Sequence, residues 1–112
     1  MSSTELSKYL ANYRREEQAL EELRQKGIAT AKVCAEYLKS NYGVDKVILF
    51  GSMTRKITRN SDIDLAVSNL PSDKYFEALS RISLMSDFPI DLVEIETARP
   101  LLLEEIKKGW EL

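Results

Sequence analysis

The chain has no histidine, one cysteine, three prolines, four glycines and one tryptophan among its 112 residues. Without histidine there is no Ser-His-Asp or Cys-His nucleophile pair, and no histidine-ligated zinc or haem site. Proton transfer therefore falls to carboxylates, lysine, tyrosine or water on a metal. Cys34 alone can make neither an internal disulfide nor a two-cysteine metal site, and it reads as a small apolar residue on a helix, at home in a reducing cytosol. No apolar run approaches the roughly 18 residues of a membrane span, and the N-terminus opens polar and mixed in charge instead of basic then apolar. The expected location is cytoplasmic, with no membrane partner. Acids outnumber bases 18 to 16, for a formal net charge of -2. The chain thus exerts no general pull on polyphosphate backbones, which disfavours a nucleic-acid-coating role. With 44% apolar and 30% charged residues, the composition is that of one ordinary globular domain, long enough to bury roughly two-thirds of its unfolded surface.

The chain divides into an N-terminal helical segment, 1–43, and a mixed region, 44–112. Ser3 to Lys26 has no proline or glycine and sets Leu6, Leu10, Tyr13, Leu20 and Leu23 at helical spacing, with Gly27 as a candidate end. Glu17 interrupts the stripe, which argues against a long coiled coil. A second helical pattern runs from Ile28 through Ala31, Val33, Ala35, Tyr37 and Leu38 to Gly43, a natural left-handed cap. Val44 to Phe50 ends in a continuous apolar run closed by Gly51 and reads as a buried strand. Asp62 to Val67 alternates and reads as a second strand. A helix from Ser72-Asp73 to about Met85, a strand from Ile90 to Ile95 that Glu94 and Glu96 continue as surface or edge acids, and a short helix from Pro100 to Lys108 capped by Gly109 complete the pattern. The expected class is α+β: a small mixed sheet flanked by helices, with an amphipathic helix at the N-terminus.

One constellation carries chemistry. Gly51-Ser52 follows a buried strand; nine residues later Asp62-Ile63-Asp64 begins the next strand, and Asp91 opens the one after. Side chains alternate along a strand, so Asp62 and Asp64 share a face. Two neighbouring carboxylates raise each other's pKa unless a positive charge stands between them. Mg2+ resolves that conflict, since it takes carboxylate oxygens and completes its shell with water and substrate phosphate. Three acids around two metals suit an in-line phosphoryl displacement. Gly51 lets the backbone approach a ligand, and a helical turn begun at Ser52 would turn N–H groups and a hydroxyl toward an anion such as a nucleoside triphosphate.

Gly51-Ser52, Ser61-Asp62-Ile63-Asp64-Leu65 and Ile90-Asp91-Leu92-Val93 together resemble the minimal nucleotidyltransferases of the DNA polymerase beta superfamily, from about Val44 to the C-terminus. The resemblance implies two Mg2+ ions and transfer of a nucleoside monophosphate, most often AMP from ATP, to a hydroxyl. It implies that Asp62 and Asp64 hold the metals, that Asp91 is the third carboxylate and helps activate the acceptor, and that Gly51 and Ser52 contact the triphosphate. Arg55 matches an arginine often seen after the Gly-Ser. The sequence departs from the family in two places: nine residues separate Ser52 from Asp62 where ten are usual, and Lys56 stands where a glycine commonly follows the arginine.

Almost the whole chain is used by helices and strands, leaving little for recognising an acceptor. Proteins of this class often serve as antitoxins to helical RNase toxins with a HEPN domain, some by adding AMP to a toxin tyrosine, so the resemblance implies a HEPN-type toxin as partner. The stripe of Leu6, Leu10, Tyr13 and Leu20 either packs on Ile28 to Leu38 or helps form a docking surface. Two other functions remain open: an inactive antitoxin that neutralises by binding alone, and an adenylyltransferase for a small molecule such as an aminoglycoside. Self-association is also open. Trp110 is expected to plug the core or an interface, and no spacing singles out Tyr37, Tyr42 or Tyr75 for stacking on a base.

Overall fold

The computed structural model describes residues 2–112. Helix α1 runs from Ser3 to Tyr42 without a break. It starts at a reciprocal cap, in which the Glu5 amide donates to Ser2 Oγ at 3.2 Å and the Ser2 amide donates to Glu5 Oε2 at 3.2 Å. It ends at Gly43, where φ is +66° and the amide returns to the Lys39 carbonyl at 3.2 Å. At about 1.5 Å per residue, its 40 residues account for the 61 Å length of the molecule. The two helices expected on either side of Gly27 are therefore one.

A glycine inside a helix costs roughly 1 kcal/mol relative to alanine, and packing overrides that cost here. The space a side chain would fill is occupied by the buried Met53: a Cβ on Gly27 would lie 2.6 Å from its sulfur and its terminal methyl. An unbroken helix cannot fold back on itself, which removes the expectation that Leu6, Leu10 and Tyr13 pack on Ile28 to Leu38. They are 48%, 40% and 52% exposed, whereas Leu20 and Leu23 reach the edge of the core.

The sheet contains β1 (Lys46–Phe50), β2 (Ile63–Ser68), β3 (Ile90–Glu94) and β4 (Trp110–Glu111), in the order β3-β2-β1-β4. β1 is antiparallel to β2 and β4, and β2 is parallel to β3. The β2 to β3 connection carries α2 (Tyr75–Leu84), entered through a 3-10 turn at Ser72–Lys74, and α3 (Pro100–Lys107) follows β3. β4 was not anticipated: two residues are too few for a period, and pairing of Leu49 with Trp110 creates the strand. The third strand is one residue shorter than expected, because Ile95–Thr97 forms a 3-10 turn and takes Glu96 off the sheet.

Alternation along the strands builds two cores. Val47, Leu49, Ile63, Leu65, Val67 and Leu92 face α1 and α2, where they meet Ile28, Ala31, Cys34, Leu38, Ala78 and Ile82. Phe50 and Ala66 face the other way and meet Ile106 of α3, with Val93, Ile95 and Leu102 around them. Cys34 lies wholly inside the first core, with burial pushing its thiol pKa up, as expected of a structural residue.

Met53 joins α1 to the turn after β1, so Met53→Ala should empty a buried side chain's volume beneath Gly27. The expected loss is about 2–5 kcal/mol of unfolding free energy, measured by urea denaturation. A loss below about 1 kcal/mol would show that the turn holds its place without this anchor.

Candidate active site

The end of β1 and the starts of β2 and β3 meet at one end of the sheet. Phe50 of β1 pairs with Asp64 of β2, and Asp64 pairs in turn with Asp91 of β3. Parallel neighbours lie about 4.8 Å apart, so the two carboxylates leave the same face side by side. Asp62 stands one residue before β2 and is exposed, Asp64 is half-buried, and Asp91 is exposed on β3. The structure thus gathers all three sequence-predicted acids.

Gly51 opens a 3-10 turn, Gly51–Thr54, with φ at +75°. That conformation favours glycine, and the space requires it as well: a Cβ here would collide with Asp64 Oδ2 and lie 3.2 Å from Asp64 Cγ. The carboxylate of the second strand is pressed against the backbone of the turn. Thr54 Oγ1 donates to the Gly51 carbonyl at 2.7 Å, and the Arg55 amide donates to the Ser52 carbonyl at 3.0 Å, closing the turn from within. From outside, Arg24 Nε donates to the Met53 carbonyl at 2.9 Å. Ser52 lies half-buried at the head of the turn.

Arg55 reaches across to Glu105 of α3, Nη2 to Oε2 at 3.2 Å, and does not turn toward the acids. Lys56, at the position where a glycine is common, pairs with Glu17 of α1 at 3.3 Å. Both pairs are exposed and so worth no more than about 1 kcal/mol. Either pair can open at little cost.

The electrostatics of the acids are unresolved by the protein itself. Among the described residues, none of Asp62, Asp64 and Asp91 takes part in an ion pair. Burial first, then the charges of Asp91 and Asp62, push the Asp64 carboxyl up to about 6. Burial and the charges of Asp91 and Glu94 also raise the pKa of Tyr75, whose hydroxyl donates to the Leu92 carbonyl at 2.5 Å behind β3.

No three His, Cys, Asp or Glu side chains among the described residues make a ready metal cage. The donor set suits an ion that takes one or two carboxylates and finds its remaining oxygens on substrate and water, which is the habit of Mg2+.

Sequence reasoning missed the supports of this site. Arg24 holds the turn and also lies over the Trp110 ring, 5.5 Å from its centroid, so the expected plug is a 40% exposed cation–π partner. Gly27 and Met53 brace the turn from α1. A glycine inside a charged helical stretch was the available signal, and it reads equally well as a stop. Tyr42 donates to Glu77 at 2.8 Å and stacks edge-on with Tyr37, so these two rings are spent on structure, as Tyr75 is.

The raised Asp64 pKa has a definite sign for stability. Because the folded-state value lies above the ordinary 3.8, the fold favours the protonated carboxyl, and that contribution is full below about 3.8 and lost as the pH rises through about 6. Asp64→Asn should therefore stabilise the metal-free protein above pH 6, by about 1–3 kcal/mol. The advantage should shrink to near zero toward pH 4. Denaturation at pH 7.5 and pH 4 checks it; equal effects at the two values would remove charge repulsion from the account.

Comparison with known proteins agrees with this geometry. A family model described as polymerase beta, nucleotidyltransferase, matches residues 32–112. A toxin–antitoxin solved with AMP-PNP superposes with a TM-score of 0.61 at 28% identity, covering 69% of this chain and 67% of that one. A variant of the MntA–HepT toxin–antitoxin gives 0.62 at 27% identity, with 72% and 69% covered. A protein described as a minimal nucleotidyltransferase gives 0.54 at 27% identity, with 83% and 95% covered. No curated protein sequence matches the chain. No helix among the described residues is long and apolar enough to cross a membrane. With its glycine turn locked against the middle acid of three and the family model spanning 81 of 112 residues, the chain belongs to the polymerase beta nucleotidyltransferase family.

Proposed function

We propose that this chain is a Mg2+-dependent nucleotidyltransferase of the cytosol that moves AMP from ATP to a hydroxyl of a partner protein, acting as the antitoxin of a pair with a HEPN-type toxin. The observation that carries the proposal is the contact of Asp64 with Gly51. It fixes an acid that can hold a metal against a turn that can hold a phosphate, with no side chain between them. The toxin–antitoxin neighbours, one of them solved with AMP-PNP, support both the nucleotide and the type of partner.

Asp62 and Asp64 would hold two Mg2+ ions, which when bound supply positive charge to the phosphates and polarise the reacting oxygens. The protein's own part follows from its geometry. The backbone of Gly51 comes close to the triphosphate, and Ser52 offers its hydroxyl. Arg55 leaves Glu105 and meets the charge that develops on the leaving pyrophosphate. Asp91, exposed beside Asp64, faces the open side, where an acceptor hydroxyl arrives, and takes its proton as the oxygen attacks the α-phosphorus. Positive charge at this point would offset the burial and the neighbouring charges of Asp91 and Asp62 that raise the Asp64 pKa.

Co-expression with a HEPN-type toxin, followed by mass spectrometry of the toxin, tests this. Wild type should add AMP to it. Asp62→Asn with Asp64→Asn should lower transfer by a factor on the order of 100 or more while the protein still folds, and toxin-bearing cells should then lose protection. If the double variant protects as well as wild type, neutralisation is by binding alone and the enzymatic reading of the antitoxin fails.

A further inference from the structure

Helix α1 runs antiparallel to β1. Its Lys39 Nζ donates to the carbonyl of Leu112, whose amide bonds to Val47 near the start of β1, whereas Arg24 is level with Met53, past the end of β1. Everything N-terminal to about Leu20 therefore overhangs the end of the sheet that carries Gly51, Asp62 and Asp91. Residues 3–19 of this arm are all exposed, and the family match begins only at residue 32. The arm is an addition to the family domain.

Its apolar face has a definite direction. Eighteen residues make five full turns, so Tyr9, Leu10 and Tyr13 point the same way as Gly27, Ile28 and Ala31, which are buried on the domain. The face that grips the sheet continues past it as Leu6, Tyr9, Leu10 and Tyr13, 40–59% exposed. Whatever covers that stripe lies beyond the end of the sheet at which Gly51 and the three acids stand. At the foot of the arm a half-open cavity of about 740 Å³ is lined by Leu23 and Phe88, by the two cations Lys26 and Arg59 and by one acid, Asp87, among others. Neither Lys26 nor Arg59 takes part in an ion pair among the described residues.

We propose that the stripe docks an amphipathic helix of the acceptor protein, with acidic residues of that helix meeting Lys26 and Arg59, and so keeps the acceptor at the end of the sheet that carries the acids. This rests on the reading that the acceptor is a protein. The four stripe residues offer on the order of 400 Å² of side chain, about half of the ~800 Å² per partner that a stable interface buries. Two arms paired alone would fall short, whereas a folded partner that also fills the cavity beside Lys26 and Arg59 supplies the remainder. The cations favour an acidic occupant and speed its arrival.

The experiment uses the full chain and, as probe, a HEPN-type toxin co-expressed with it. Leu6→Glu with Leu10→Glu should leave the melting temperature and ATP binding unchanged, because both residues are exposed and remote from the acids. It should abolish co-elution with the toxin and reduce AMP transfer to it at least tenfold, chiefly through KM. Lys26→Glu with Arg59→Glu should slow association and flatten its salt dependence. If wild type and the arm variant modify the toxin equally, the docking surface is wrong and the transferase reading stands. If wild type transfers no AMP yet binds through the arm, the transferase reading falls and the docking surface stands. If the isolated wild type is a dimer that the arm variant turns into a monomer, a second copy covers the stripe and the proposal is overturned.

Discussion

The contact between the Asp64 carboxylate and the Cα of Gly51 sets the rest of the structure. A carboxylate on the middle strand and a backbone turn from its neighbour occupy one point, which is possible only where the turn carries no side chain and bends through a positive φ. Antiparallel pairing of β1 with β2 sets Phe50 opposite Asp64, and parallel pairing of β2 with β3 sets Asp91 beside it. Two ladders of opposite sense thus bring the end of one strand and the starts of two others to the same edge. The α2 crossover supplies the length a parallel neighbour needs.

A turn pressed against a charge needs support from behind. Met53 supplies it, with its side chain under Gly27 and its carbonyl held by Arg24, and Arg24 in turn lies against Trp110 of the edge strand. The long helix is thereby part of the site's scaffold as well as a cover for the sheet. Its register on the domain is fixed at the level of the turn, so the direction in which its N-terminal half projects is fixed as well.

The sequence displayed the chemistry more clearly than the supports. Asp62, Asp64, Asp91 and Gly51 stand at strand ends, and strand periodicity alone places the first two on one face; the structure adds that Asp91 is in register with Asp64. Arg55 was legible as a residue type, but its partner Glu105, 50 residues away, was not. Gly27 was misleading because helix-stopping and close packing leave the same letter in the chain, and only the arrival of Met53 from another element tells them apart. β4 and the Arg24–Trp110 pair are likewise products of distant contacts. The continuous helix also closed a choice that the stripe alone left open: once α1 is unbroken, Leu6 and Tyr13 have no intramolecular place to go.

The site is costly to the fold. Three acids converge, none of them in an ion pair among the described residues, and burial together with the charges of Asp91 and Asp62 raises the pKa of Asp64. Two cores on opposite faces of the sheet sustain that cost. The first is built on Leu49, Ile63 and Leu65 directly behind the acidic edge, and the second on Phe50, Ala66 and Ile106. A structure selected for stability alone would place a neutral residue at 64, as most surfaces avoid adjacent unpaired carboxylates. That the repulsion is retained at the one place where a glycine turn opens onto it is what a site awaiting positive charge requires. Ligands that bring such charge bind the folded state and not the unfolded chain, so they stabilise it by linkage. Under the proposed function, occupancy and folding would be coupled through these carboxylates.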